Sequence, residues 1–108
     1  MIIAFLLAAS TVSAENRAIL LTANAMHAIR PDTPGACLGY EIEERTATGF
    51  DLDVREVHNR ECGGDPDLML VTERFRVNKT ATSISRYDVV EDRWMPCKVK
   101  GQKRPLCP

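Results

Sequence analysis

Between Arg30 and Cys37 the apolar residues change their period, and that change restricts the fold more than any other feature of the chain. Residues 15–30 (ENRAILLTANAMHAIR) are good helix formers without Gly or Pro. Ile19, Ala23, Met26 and Arg30 share one stripe at helical spacing, with Leu20 and His27 beside it. Arg30 stands where a cation suits the helix dipole, and Pro31 and Pro34-Gly35 end the helix. Beyond Gly35 the period is two. Leu38, Tyr40 and Ile42 alternate with Gly39, Glu41 and Glu43, and Phe50, Leu52 and Val54 alternate with Asp51 and Asp53. Thr46-Ala47-Thr48-Gly49 fits a short hairpin loop between these strands, 37–44 and 49–55. Keeping the apolar faces together sets Ile42 opposite Leu52, Tyr40 opposite Val54, Glu41 opposite Asp53 and Glu43 opposite Asp51.

A third strand is expected from about Met69 to Asn78, with Val71, Phe75 and Val77 inward, and a fourth from about Ser83 to Val90. His58 to Asp67 is a strong turn signal between strands two and three. If that hairpin centres near Gly64-Asp65, Arg76 falls opposite Asp53 and Arg74 opposite Arg55. Glu91-Asp92-Arg93 turns the chain towards Trp94, and a basic tail runs from Cys97 to Pro108. The reading is an α+β domain, one N-terminal helix packed on a four-stranded antiparallel meander, stapled by disulfides. Cystatin-like and PepSY-like folds share this layout.

The N-terminus, MIIAFLLAASTVSA, has the length of a secretory leader and is too short to span a bilayer. Val12 and Ala14 suit a signal peptidase, and charge begins with Glu15 and Arg17, so cleavage is expected after Ala14. That divides the chain into a signal peptide, residues 1–14, and one domain, 15–108. No Lys or Arg precedes the apolar run, so either the true start lies upstream or the n-region relies on the α-amino charge; the alternative to a leader is an N-terminal buried helix. The charge balance, 14 Lys+Arg against 15 Asp+Glu in 108 residues, excludes a strongly basic nucleic-acid binder. In an oxidising compartment, periplasmic or extracellular, Cys37, Cys62, Cys97 and Cys107 form a disulfide framework. A core of this size is marginal, and each disulfide typically adds ~2–4 kcal/mol. Three connectivities are possible. In a meander Cys37 and Cys62 meet at one end of the sheet, and Cys97 lies past the far strand, which predicts Cys37–Cys62 and Cys97–Cys107. Helix packing that carried Cys37 round to Cys97 would change both.

The stretch from Glu56 to Trp94 contains ECGGDP (Glu61–Pro66), RFRVNK (Arg74–Lys79) and RYDVVEDRWMP (Arg86–Pro96). It resembles small uncharacterised secreted proteins of Gram-negative bacteria that carry a Cys-Gly-Gly-Asp-Pro turn. The resemblance covers about a third of the chain and implies a compartment and a fold, with no mechanism.

Candidate chemistry lies in four places. Gly63 and Gly64 can expose consecutive N–H groups as an anion-holding nest, although Asp65 before Pro66 can instead cap the turn's own donors. A metal site would need His58, Glu61, Asp65 and Asp67, which match no EF-hand or zinc spacing; none is expected, and no cofactor motif occurs. Lys98, Lys100, Lys103 and Arg104 could touch an anionic surface, but a solvated tail tied by Cys107 is the better reading. Glu41, Glu43, Asp51 and Asp53 form an acidic strip on the outer face of strands one and two, with Asp65 shaping a neighbouring loop. The bland reading is a solvated, salt-bridged face; the functional one is a strip that docks a basic protein. No Gly-x-Ser-x-Gly or nucleophile–base pair occurs. The expectation is therefore a non-enzymatic binding or inhibitor module, exported, working through its sheet edge and hairpin loops on another envelope or extracellular protein, without nucleic acid or a stable membrane anchor. The alternatives are a ligand-binding protein or enzyme using the Cys62–Asp67 loop, and a structural accessory of an envelope complex, which an exposed apolar patch around Trp94 would favour.

Overall fold

The computed structural model describes residues 2–100 and 104–108. Helix α1 (Ile2–Ile29) comes first, and a 3₁₀ turn (Gly35–Cys37) leads into the sheet. The strands are β1 (Leu38–Arg45), β2 (Gly49–Glu56), β3 (Val71–Asn78), β4 (Ile84–Asp88), β5 (Arg93–Pro96), β6 (Lys98–Lys100) and β7 (Arg104–Leu106). The expected leader and its cleavage position, Ala14–Glu15, fall on α1; Met1 lies outside the described residues. Among the described residues no helix is long and apolar enough to cross a membrane.

The α+β class holds, and the strand count does not. The main sheet has five antiparallel strands in the order β1-β2-β3-β4-β5, not four. The turn after β4 is tight enough for the Trp94 segment to fold back on it, pairing Tyr87 with Trp94 and Ser85 with Pro96. The basic tail is tied down by Cys107, as expected, and has structure of its own. It forms the separate ribbon β6–β7, which packs on α1 and buries Pro105. Lys103 lies outside the described residues.

The core joins α1 to the inner sheet face through Leu38, Phe50, Leu52, Val54, Phe75, Val77 and Ile84. The helix contributes Ala18, Leu21, Thr22, Ala25 and Met26, so the buried stripe is not the expected Ile19-Ala23-Met26-Arg30. Leu20 is exposed, and Ile19 is only partly buried. The reason is steric. The small residues Ala18, Thr22 and Ala25 permit close approach, and the helix is covered by both the sheet and the ribbon, a second cover that helical periodicity does not announce. Thr22 is tolerated there because its hydroxyl donates to the Ala18 carbonyl at 2.9 Å.

Ion pairs hold the middle of α1, at Glu15, and its C-terminal end, at Arg30, on the sheet. Glu15 accepts two bonds from Arg45, at 2.8 and 3.2 Å, near the β1–β2 hairpin. Arg30 reaches Glu56 at the other end, at 3.2 Å. The segment 15–30 covers ~24 Å at helical rise, close to the ~26 Å of an eight-residue strand. Gly49 closes the hairpin, its N–H donating to Thr46 Oγ1 at 3.1 Å. A Cβ at Gly49 would stand 2.0 Å from the Val77 carbonyl oxygen, so only glycine lets β2 meet β3 there.

The first hairpin pairs Ile42 with Leu52, Tyr40 with Val54 and Glu41 with Asp53, as expected, but a bulge between Ile42 and Glu44 changes the rest. Glu44, not Glu43, opposes Asp51. The second hairpin is displaced by two residues from expectation. Arg76 opposes Asp51 and Arg74 opposes Asp53, while Arg55 opposes Val71 across a second irregularity. The long 57–70 connection cannot fix a register as a two-residue turn does.

Candidate functional site

Two disulfides close the molecule. Cys37 joins Cys62, tying the start of β1 to the 57–70 loop, and Cys97 joins Cys107, tying β5 to the ribbon. Within the loop, Asn59 Oδ1 accepts from the Cys62 N–H and the Asn59 carbonyl accepts from the Gly63 N–H, both at 2.8 Å. The Gly63 donor expected for an anion nest is therefore consumed by the turn. Asp65 behaves as the capping alternative had it: its carboxylate accepts from the Asp67 N–H at 3.0 Å. Gly63 and Gly64 have φ of 77° and 80°, the region that favours glycine.

His58 organises this corner. Its Nδ1 lies 2.9 Å from the Asp65 carbonyl and its Nε2 3.2 Å from Glu56 Oε1. Both partners can only accept, so both bonds form fully only with the imidazolium. The Asp65 carbonyl first, and the Glu56 carboxylate second, push the His58 pKa up. His58 and then Arg30 hold Glu56 below its usual range. Arg30 also donates to Thr72 Oγ1. The sequence Asp65–His58–Glu56–Arg30–Thr72 thus links loop, β2, helix end and β3, and its members His58, Glu56 and Arg30 line a cleft of 410 Å³, with Glu61 on its wall. Among the described residues no three His, Cys, Asp or Glu side chains are grouped to hold a metal, so His58, Glu61, Asp65 and Asp67 do not form one site.

The outer sheet face carries the expected strip, altered by its pairing. Arg76 donates to both Asp51 oxygens, at 2.9 and 3.1 Å, and stacks its guanidinium 4.3 Å over the Trp94 ring. Tyr87 meets Trp94 edge-on, at 5.2 Å between centroids. Asp53 is only 6% exposed, with Arg74 at 3.5 Å and Arg55 at 3.8 Å. Arg55 also holds Glu41 at 3.0 Å. Asp51 and Asp53 are thereby neutralised within the sheet, whereas Glu41, Glu43 and Glu44 stand exposed on β1. Trp94 is half-covered rather than the centre of an apolar patch. No known protein family, curated protein or solved structure matches the chain.

Sequence reasoning missed where apolar surface is exposed. Leu68, Met69 and Leu70 precede β3, with Met69 74% exposed, and Val89 and Val90 form the β4–β5 turn, with Val90 92% exposed. An antiparallel β3–β4 pair puts both at one end of the sheet. The available signal was three consecutive large apolar residues where a half-buried strand should alternate. Leu68 and Met69 wall a second groove, of 320 Å³, that runs along β1 past Gly39, Tyr40 and Glu41.

Proposed function

We propose that the protein is a small exported binding or inhibitor-type module that docks a basic protein at the open edge of its sheet. One observation carries this reading: β1 ends the sheet order, and Glu41, Glu43 and Glu44 are exposed along it. Electrostatic complementarity of this kind sets association rate and salt dependence more than raw affinity. Asp51 and Asp53 support the strip from beneath by fixing the arginines, and Asp65 shapes the loop beside it. The two disulfides suit an oxidising compartment. The similarity of the Cys62-Gly63-Gly64-Asp65-Pro66 turn to small secreted proteins of Gram-negative bacteria supports a periplasmic or secreted location, with an envelope or extracellular partner. The layout is that of cystatin-like or PepSY-like domains with an added strand and ribbon.

The test is affinity capture from a periplasmic extract at low and high salt, comparing the native chain with the Glu41→Lys/Glu43→Lys variant. A partner held by the native chain and released by the variant and by salt is the expected result; equal capture by both removes the strip. A second reading, a ligand-binding protein or enzyme, is favoured by the 410 Å³ cleft with Arg30, Glu56 and His58 on its wall. An activity lost in His58→Ala or Asp65→Ala would establish it.

A further inference from the structure

The β1 edge and the groove beside it lie against each other, and the combination says more than charge alone. A terminal strand offers unpaired backbone donors and acceptors along its free side, a template for one further strand. On β1 the regular stretch is Leu38–Ile42, before the bulge disturbs the ladder. The 320 Å³ groove opens on that same stretch, bounded by Gly39, Tyr40, Glu41, Val57, Leu68 and Met69. Gly39 has no side chain to fill it, and a Cβ there would meet its nearest neighbours, Val57 Cγ2 and the Arg55 carbonyl, only at 3.8 and 3.9 Å. The groove is thus open space over Gly39 and the end of β2 that pairs with it, walled by the exposed side chains of Leu68 and Met69.

Resting on the docking reading above, we infer that the occupant is an extended basic segment of a partner protein, added to β1 as a sixth strand with one apolar side chain seated over Gly39 against Leu68 and Met69. Charge selects this occupant. A second copy pairing edge to edge would bring Glu41, Glu43 and Glu44 against the same carboxylates, and like charges across strands are destabilising. Gly39 and Glu41 share the outer face of β1, so an extended segment with an apolar residue opposite Gly39 and Lys or Arg at alternate positions towards Glu41 and Glu43 meets the groove and the carboxylates from one face, at the two-residue period that strand addition requires.

The probe is the acetylated peptide Lys-Thr-Lys-Thr-Val-Thr-Lys, whose Val falls opposite Gly39 when a Lys falls opposite Glu41, tested by NMR against the disulfide-intact protein. Binding should slow amide exchange in Leu38–Ile42 and shift the Met69 methyl resonance. The same peptide with alternate amides N-methylated keeps its charge and loses its ladder, and should bind about tenfold more weakly. Gly39→Val fills the groove with a strand-compatible side chain and should weaken binding roughly fivefold while the Tm is retained; Met69→Ser, which removes the apolar wall at an exposed position without changing charge, serves the same purpose should Gly39→Val fail to fold. Equal binding of the methylated peptide would overturn strand addition and leave electrostatic docking standing. No effect of Glu41→Lys/Glu43→Lys on peptide binding would remove both. Slowed β1 exchange and a doubled mass in the protein alone would make a second copy the occupant. No binding at about 1 mM peptide would reject this occupant.

Discussion

His58 makes both of its bonds only while both ring nitrogens carry protons, which makes its contribution depend on pH. Its folded pKa is raised above the ordinary 6.5, so the stabilisation is complete below the unfolded value and is lost as pH rises through the folded one. Glu56 runs the other way: its folded pKa is lowered from 4.5, so its stabilisation is present above that value and lost as pH falls through the folded one. The bond between them is therefore strongest from 4.5 to 6.5. NMR titration of the His58 ring should give a midpoint above 6.5, and His58→Gln should abolish the pH dependence of the exchange protection factor at Leu68, whose N–H bonds the Asp65 carbonyl. A midpoint at the free-histidine value would show that the ring does not clamp the loop. Gly64 adds a steric condition, since a Cβ there would stand 2.7 Å from the imidazole. At Gly49 the obstruction is backbone, not a movable ring. Gly49→Ala should cost about 3 kcal/mol by urea unfolding, at the upper end of overpacking effects.

Ion pairs of similar appearance contribute differently according to the surface beneath them. Arg86 meets both Glu73 oxygens, at 2.8 and 2.6 Å, on the inner side of β3–β4, where both side chains are largely covered. The Asp53–Arg74 contact is longer, 3.5 Å, and its arginine is mostly exposed. Glu73→Ala should therefore cost about 2 kcal/mol, because it strands a partly buried guanidinium. Arg74→Ala should cost under about 1 kcal/mol. Chemical denaturation of the two variants settles the order; equal losses would contradict it. The elements differ likewise in how far the amino acids announce them. The β1–β2 register was legible because the strands alternate and the connecting loop is short. The bulge was not, because Glu43-Glu44-Arg45 carries no apolar residue whose face could mark the slip. The acidic strip was legible as residue types, and its neutralisation only half so, since the arginines face it in a register that the 57–70 loop leaves open. The groove was hidden, because its room comes from Gly39 and its wall from a loop that meets β1 only in three dimensions.

At the scale of the molecule the two disulfides stabilise unequally. Cys37–Cys62 spans 25 positions and Cys97–Cys107 spans 10. Loop-closure entropy gives about 3.5 kcal/mol for the first and about 3 kcal/mol for the second. Thermal unfolding of Cys37→Ser/Cys62→Ser and Cys97→Ser/Cys107→Ser, each against the native chain, should show both destabilised. The second pair should also loosen the ribbon, seen as faster amide exchange in Lys98–Lys100; unchanged exchange there would mean that packing on α1 alone holds it. That packing also sets an order in time. The helical face of Ala18, Leu21, Ala25 and Met26 is made about 80 residues before Pro105, whose strand β7 packs on that helix. At ribosomal speeds on the order of 10 residues per second, the interval is several seconds. Until it closes the helix lacks its ribbon, and for most of it a complete sheet, so its apolar face must be shielded or the chain kept unfolded until β7 emerges.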